Sequence, residues 1–269
     1  MLRDVALLIP GMTMNCTIFP DLGLQTVATD FTDLVASPDG SLPPGLAQGM
    51  ELYADLLDGL VAENGRWHSQ RRIVVAHSFG GMLALSWLLR HGCAGPARID
   101  GLVLIATTGG PMYEAVRLRV ARLGPLDLRM GVTHSVRVWN TPLVTRTVKR
   151  LLSGGNLGAM PVDFAKLKRK TDFALDLAGW RNTDWRAMRT SRIAMAGFDV
   201  RERLGGIRVP TMVLHGSEDA IFPPEVGERL AAALPMAEFR LVKGAAHGLP
   251  LTHGAAVKQA VRDLLGGGK

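Results

Sequence analysis

The chain has 269 residues, 47% of them hydrophobic and 20% charged. That suits one α/β domain carrying an insertion, and it argues against disorder. Its first apolar run, Val5 to Ile9, is stopped by Pro10-Gly11 and is too short for a secretory leader. No stretch approaches the roughly 20 apolar residues of a membrane-spanning helix.

The net charge of +7 is uneven: Thr107 to Val200 carries 16 Lys+Arg against 7 Asp+Glu, or +9, and the remainder is −2. A basic stretch of this kind is either a solvated helical surface or the docking face for an acidic partner. Candidates are a carrier protein, a phosphate-bearing thioester or an anionic lipid. No nucleic-acid-binding motif accompanies the charge, so nucleic acid is not expected. Two cysteines, Cys16 and Cys93, make no disulfide framework, and a reduced, cytoplasmic protein is expected.

Val5 to Ile9 reads as a buried strand, followed by the loop Pro10-Gly11-Met12-Thr13-Met14-Asn15. Thr26 to Thr29 is a second strand, and Ser37 to Gly45 a Pro/Gly-rich loop. Leu46 to Ala62 places Met50, Tyr53, Ala54, Leu57 and Val61 at steps of three and four, which predicts a helix. Arg72 to Ala76 is a buried strand, Gly80 to Arg90 a helix stopped near Gly92, and Leu102 to Ala106 another strand. Strands alternating with helices predict a parallel sheet with right-handed crossovers.

The rhythm breaks between Pro111 and Arg192. Helical pieces are expected there over Tyr113–Leu123, Thr141–Leu152, Pro161–Leu177 and Asp184–Arg189, with Thr190–Phe198 returning to the core. Helices inserted after a sheet strand predict a cap over the C-terminal sheet edge. The expected division is therefore a core of residues 1–110 and 193–269, and a helical cap of residues 111–192. Strands over Thr211–Leu214 and Glu238–Val242, and helices over Glu225–Leu234 and Ala255–Leu265, complete the chain.

Chemistry concentrates at the ends of three strands. Ala76-His77-Ser78-Phe79-Gly80-Gly81 sets a serine in a sharp strand-to-helix turn, with small residues two before and two after it. Such a turn lifts the hydroxyl above the sheet edge, beside the first free N–H groups of the next helix. His215-Gly216-Ser217-Glu218-Asp219 and Lys243-Gly244-Ala245-Ala246-His247 each follow a later strand. A serine needs a base to take its proton, and the base needs an acid to orient it. Ser78, His247 and Asp219 meet that need, with Glu218 and Asp199 as rival acids. His77 and His215 are expected to pack beside the site, and His253 to be structural. An oxyanion needs two N–H donors, for which the backbones of Met12 and Phe79 are the candidates. No metal-ligand spacing and no dinucleotide or phosphate-loop fingerprint is present, so no cofactor or metal is expected.

The order Ser78, Asp219, His247 resembles the α/β-hydrolase superfamily over nearly the whole chain. The loop Pro10 to Phe19 resembles that family's H-G-x(7)-W segment, with Pro10 for His and Phe19 for Trp. Among subfamilies, His247-Gly248-Leu249-Pro250-Leu251-Thr252-His253 and the basic cap are similar to carboxylesterases that cleave pimeloyl-carrier-protein methyl ester. The resemblance implies an α/β-hydrolase fold and a serine esterase acting on a small-molecule ester or thioester, with an acidic acyl carrier protein as a further partner. The same triad would also serve a C–C hydrolase, a lactonase or an acyltransferase, and a non-catalytic binding protein would keep the pocket alone.

Overall fold

Short apolar runs pair side by side so that those in the middle of a sheet are buried on both faces. The strands are β1 (Val5–Ile9), β2 (Gln25–Ala28), β3 (Arg72–His77), β4 (Gly101–Ile105), β5 (Thr211–Gly216) and β6 (Ala237–Val242). In the computed structural model they form one parallel sheet in the order β2-β1-β3-β4-β5-β6. The structure describes residues 4–32, 47–65, 67, 71–112, 141–167 and 171–266. The expected loop Ser37–Gly45, the expected helix Tyr113–Leu123 and the basic residues Lys168, Arg169 and Lys170 lie outside those residues.

The helices are α1 (Ala47–Ala62), α2 (Phe79–Arg90), α3 (Pro142–Leu152), α4 (Asp172–Asn182), α5 (Trp185–Ala196), α6 (Pro224–Ala233), α7 (Leu249–Thr252) and α8 (Gly254–Gly266). Successive strand residues point to opposite faces. Val5, Leu7, Val74, Ala76 and Leu102 join a core built with α1, α2 and α6. Ala6, Leu8, Ile73, Val75 and Val103 join a second core with α8 and with Phe164 and Leu175 from the inserted segment. The apolar residues read from the α1 sequence are the buried ones. Below the serine turn, the rings of Phe31, Tyr53 and Phe79 meet edge to face, with centroids 5.0–6.4 Å apart. That arrangement fixes the first residue of α2.

Two expectations in the inserted segment are corrected. Pro161–Leu177 is not one helix. Asp163 accepts from the Ala165 N–H and closes a short 3-10 turn over Phe164–Lys166, and Thr171 then caps α4 through the Ala174 N–H. Short polar side chains that capture backbone N–H groups start new helices rather than extend old ones. Conversely, the two helices expected over Asp184–Arg189 and Thr190–Phe198 are one, α5, capped by Asp184 and ending at Ala196, short of Phe198. The hydroxyls of Thr190 and Ser191 donate to the carbonyls of Arg186 and Ala187, so they sit inside the helix without breaking it. The helix therefore runs across the expected border between residues 192 and 193. Helix α7 has a single turn, too short for periodicity to reveal.

Candidate active site

Ser78 sits between β3 and α2 with φ 53° and ψ −120°. A non-glycine residue in that region costs about 1–3 kcal/mol and persists only where its surroundings over-determine it. Here they do. The Ser78 N–H donates to the Ile105 carbonyl at 2.8 Å, and its own carbonyl accepts from the Thr107 hydroxyl at 2.7 Å and the Gly81 N–H at 2.9 Å. Gly80 is needed because any Cβ there would run into the carbonyls of Ile9 and Pro10. Ala76, where glycine is usual, is buried in regular strand pairing with Ile9 and Leu104, so its methyl is accommodated.

The three strand ends bring Ser78, His247 and Asp219 together. The Ser78 Oγ lies 3.0 Å from His247 Nε2, and His247 Nδ1 lies 2.9 Å from Asp219 Oδ2. A carboxylate can only accept, so Nδ1 carries the ring proton and Nε2 is left to accept from the serine. Asp219 Oδ1 accepts from the N–H groups of Ile221 and Phe222 at 2.8 and 2.9 Å. His215 Nε2 donates to the Phe222 carbonyl at 2.8 Å and stands 3.4 Å from Asp219 Oδ2.

Burial alone would raise the Asp219 carboxyl. The facing His247 charge and the hydrogen bonds from His215 and His247 overcome it and hold the group well below the usual carboxylate range. Burial likewise pulls His247 down, but the Asp219 charge and hydrogen bond, helped by Asp172 and Asp176, leave it above its ordinary value. The rival acids are elsewhere. Glu218 is exposed, and Asp199 is an exposed partner of Arg201 at 2.6 Å. His253 pairs with the neighbouring Thr252 hydroxyl, away from the site.

The loop after β1 closes the other side. Among the described residues, no acceptor takes the backbone N–H of Met12 or of Phe79. Gly11 packs directly on His77 and Ser78: a Cβ there would lie 2.9 Å from His77 Nδ1 and 3.2 Å from Ser78 Cβ. Helix α4 is wedged between this loop and the histidine loop. At one end Asp172 accepts from the Gly248 N–H at 3.3 Å, and Leu175 packs against Gly248. At the other, buried Asn182 donates to the Thr13 carbonyl and accepts from the Asn15 amide, at 3.2 and 3.1 Å. Asn182 and Asn15 carry no sequence signal of their own, since they matter only through chain segments 167 positions apart.

Ser78 and His247 open onto a cavity of about 110 Å³ whose walls include Met12, Met14, Met188, Met195, Ile221 and Phe222. Asp176, Trp180 and Arg192 add polar and aromatic groups to the wall, with the Arg192 guanidinium 4.9 Å from the Trp180 ring centre. Burial pushes Arg192 down to about 10, still fully protonated at neutral pH. The arrangement can generate a serine nucleophile, orient its base and shield an acyl group in a mostly apolar space.

Over 198 residues the chain is 29% identical to a protein of Caulobacter sp. (strain K31) that carries the name carbamate hydrolase RutD, covering 74% of this chain and 66% of that protein. It is 24% identical over 221 residues to the pimeloyl-[acyl-carrier protein] methyl ester esterase of Salmonella enteritidis PT4 (strain P125109), covering 82% of this chain and 80% of that one. Among solved structures, a thermophilic esterase from Thermogutta terrifontis with malate bound shares the fold, with a TM-score of 0.66 at 19% identity, over 98% of this chain and 90% of that one. Residues 67–254 match the description alpha/beta hydrolase fold. By that match the chain belongs to the alpha/beta hydrolase family.

Proposed function

We propose that the protein is a serine carboxylesterase that cleaves a carboxylic ester or thioester. The observation that carries this reading is the continuous line from Ser78 Oγ through His247 to Asp219, at 3.0 and 2.9 Å. Ser78 Oγ attacks the substrate carbonyl carbon while His247 Nε2 takes its proton. The tetrahedral oxyanion is held by the N–H groups of Met12 and Phe79. The carbonyl re-forms as the alcohol or thiol leaves, taking the proton from His247, and an acyl-serine remains. Water then gives a proton to His247 and attacks the acyl carbon. The carboxylic acid departs as Ser78 recovers its proton.

Residues 111–192 act as a cap in this scheme, with α4 and α5 walling the cavity. The size and methionine-rich lining of that cavity suit a short, flexible acyl chain. The similarity to a pimeloyl-carrier-protein esterase, together with the basic insertion, supports an acidic acyl carrier protein as one form of the substrate.

The test is hydrolysis of p-nitrophenyl butyrate together with labelling by a fluorophosphonate probe. Wild-type protein should turn over the ester and be labelled at Ser78, and Ser78→Ala should do neither. Equal labelling of Ser78→Ala would refute the assignment. Activity confined to lactones or carbon–carbon substrates in a parallel screen would replace the esterase with another user of the same triad.

A further inference from the structure

His77 ends β3, directly before the serine, and is fully buried. Its Nε2 lies 2.9 Å from the backbone carbonyl of His247. A carbonyl only accepts, so Nε2 carries the proton and Nδ1 keeps a lone pair. Among the described residues that buried Nδ1 has no hydrogen-bond partner. It faces Gly11, where only the absence of a side chain leaves room for the ring. The His77 and His247 rings stand 5.0 Å apart, and Phe222 holds the far side of His247 at 5.7 Å. One side chain thus touches the serine turn, the loop carrying the base and the loop carrying Met12.

We infer that His77 is a positioning residue: its Nε2–H holds the His247 backbone so that the imidazole stays within reach of the Ser78 hydroxyl. The inference rests on the esterase reading for its effect on rate. A packing role alone would need only volume, whereas this geometry uses a donor at one point, 2.9 Å from one carbonyl. Burial first, and then the nearby His247 charge, push His77 down to about 3, so the ring stays neutral at every working pH, with its one proton on Nε2 facing the carbonyl. The ring therefore adds no positive charge beside the base. Leaving a buried Nδ1 unpaired is unfavourable, a loss tolerated where the remaining hydrogen bond fixes the base.

Two amides of different reach test this. The side-chain nitrogen of glutamine falls near the position of Nε2, and that of asparagine near Nδ1. We would measure the fluorophosphonate labelling rate, and kcat and KM for p-nitrophenyl butyrate, in His77→Gln and His77→Asn, each with and without His247→Ala. His77→Asn should lower kcat and labelling on the order of 10- to 100-fold, the cost of a misplaced catalytic group, with KM within about twofold. His77→Gln should recover most of that loss. With His247→Ala present, neither change should lower the residual rate further, because His77 acts through His247. Equal rates for the two amides, or the same loss in the His247→Ala background, would overturn the inference. Amide hydrogen exchange of residues 243–248 needs no catalysis. It should quicken in His77→Asn and not in His77→Gln, and no difference between them overturns the positioning role by itself. Wild-type protein that fails to label at Ser78 instead overturns the esterase reading, and the exchange result still decides the inference about His77.

Discussion

At the scale of single residues, the site is governed by how protons are shared among buried groups. In the proposed mechanism His247 must be neutral to accept the Ser78 proton, yet the Asp219 charge, set against the effect of burial, holds it above its ordinary value of 6.5. A base with a raised pKa becomes competent only as pH climbs through that value. The kcat/KM profile should therefore show an acid limb with an apparent pKa above about 6.5. Asp219→Asn removes the anion that raises His247, so the limb should move to lower pH while kcat falls on the order of 10⁴-fold, the imidazole having lost its orienting acceptor. The check is a pH–rate profile of both proteins on one ester. A limb that stays in place would show that Asp219 is not the group acting on His247. Stability carries the opposite sense for the acid. A carboxyl held below its usual range stabilises the fold above that range, and the contribution is lost as pH falls through the depressed value.

Among the elements, α4 couples the two loops that flank the serine. Gly179 lies within it against Thr13, where an added Cβ would stand 3.1 Å from the threonine Cβ and 3.3 Å from its carbonyl oxygen. Glycine to alanine inside a helix gains about 1 kcal/mol in propensity, but forcing a methyl into packed space costs about 1–3 kcal/mol. The second effect wins here, because Thr13 sits at φ 68° and is tied to Asn182, so it cannot simply swing away. Gly179→Ala should leave the melting temperature unchanged or lower. It should also reduce kcat by up to the roughly 10²-fold value of one oxyanion donor, since Met12, the proposed donor, directly precedes Thr13. A variant that is both more stable and fully active would show that α4 does not brace this loop. The same element marks where sequence reading stops. Strands β1, β3, β4 and β5 were legible because each is a short apolar run closed by a turn, and the grouping of Ser78, Asp219 and His247 because each follows a strand in a telling order. The start of α4 and the continuity of α5 were not. Whether Thr171 caps a helix, or Thr190 and Ser191 sit inside one, depends on which backbone group captures each hydroxyl or lies beside it. The cavity wall from Asp176 to Met195 likewise exists only once α4 and α5 have packed beside the loops that carry His247 and Met12.

Across the whole molecule, charge is segregated rather than balanced. Residues 107–200 carry 16 Lys+Arg and 7 Asp+Glu, while the rest of the chain is slightly acidic. Lys166 presents part of that charge to solvent: its side chain is 84% exposed and, among the described residues, pairs with Asp163 at 3.1 Å. An ion pair so open to water is worth little, so the lysine remains available to a partner. If the insertion recruits an acidic carrier protein, the attraction should appear in the association rate and be screened by salt, since exposed charges are felt over only ~10 Å at 0.1 M ionic strength. The measurement is kcat/KM for an acyl-carrier-protein ester over rising ionic strength, beside a small neutral ester of the same acid. The carrier substrate should lose efficiency steeply with salt, and the neutral ester should hardly respond, because Ser78, His247 and Asp219 are buried and unchanged. Reversing charge at Lys166, Lys168, Arg169 and Lys170 should reproduce the salt effect for the carrier substrate alone. If both substrates respond alike, or neither does, the basic segment is a solvated surface and the substrate is a free small molecule.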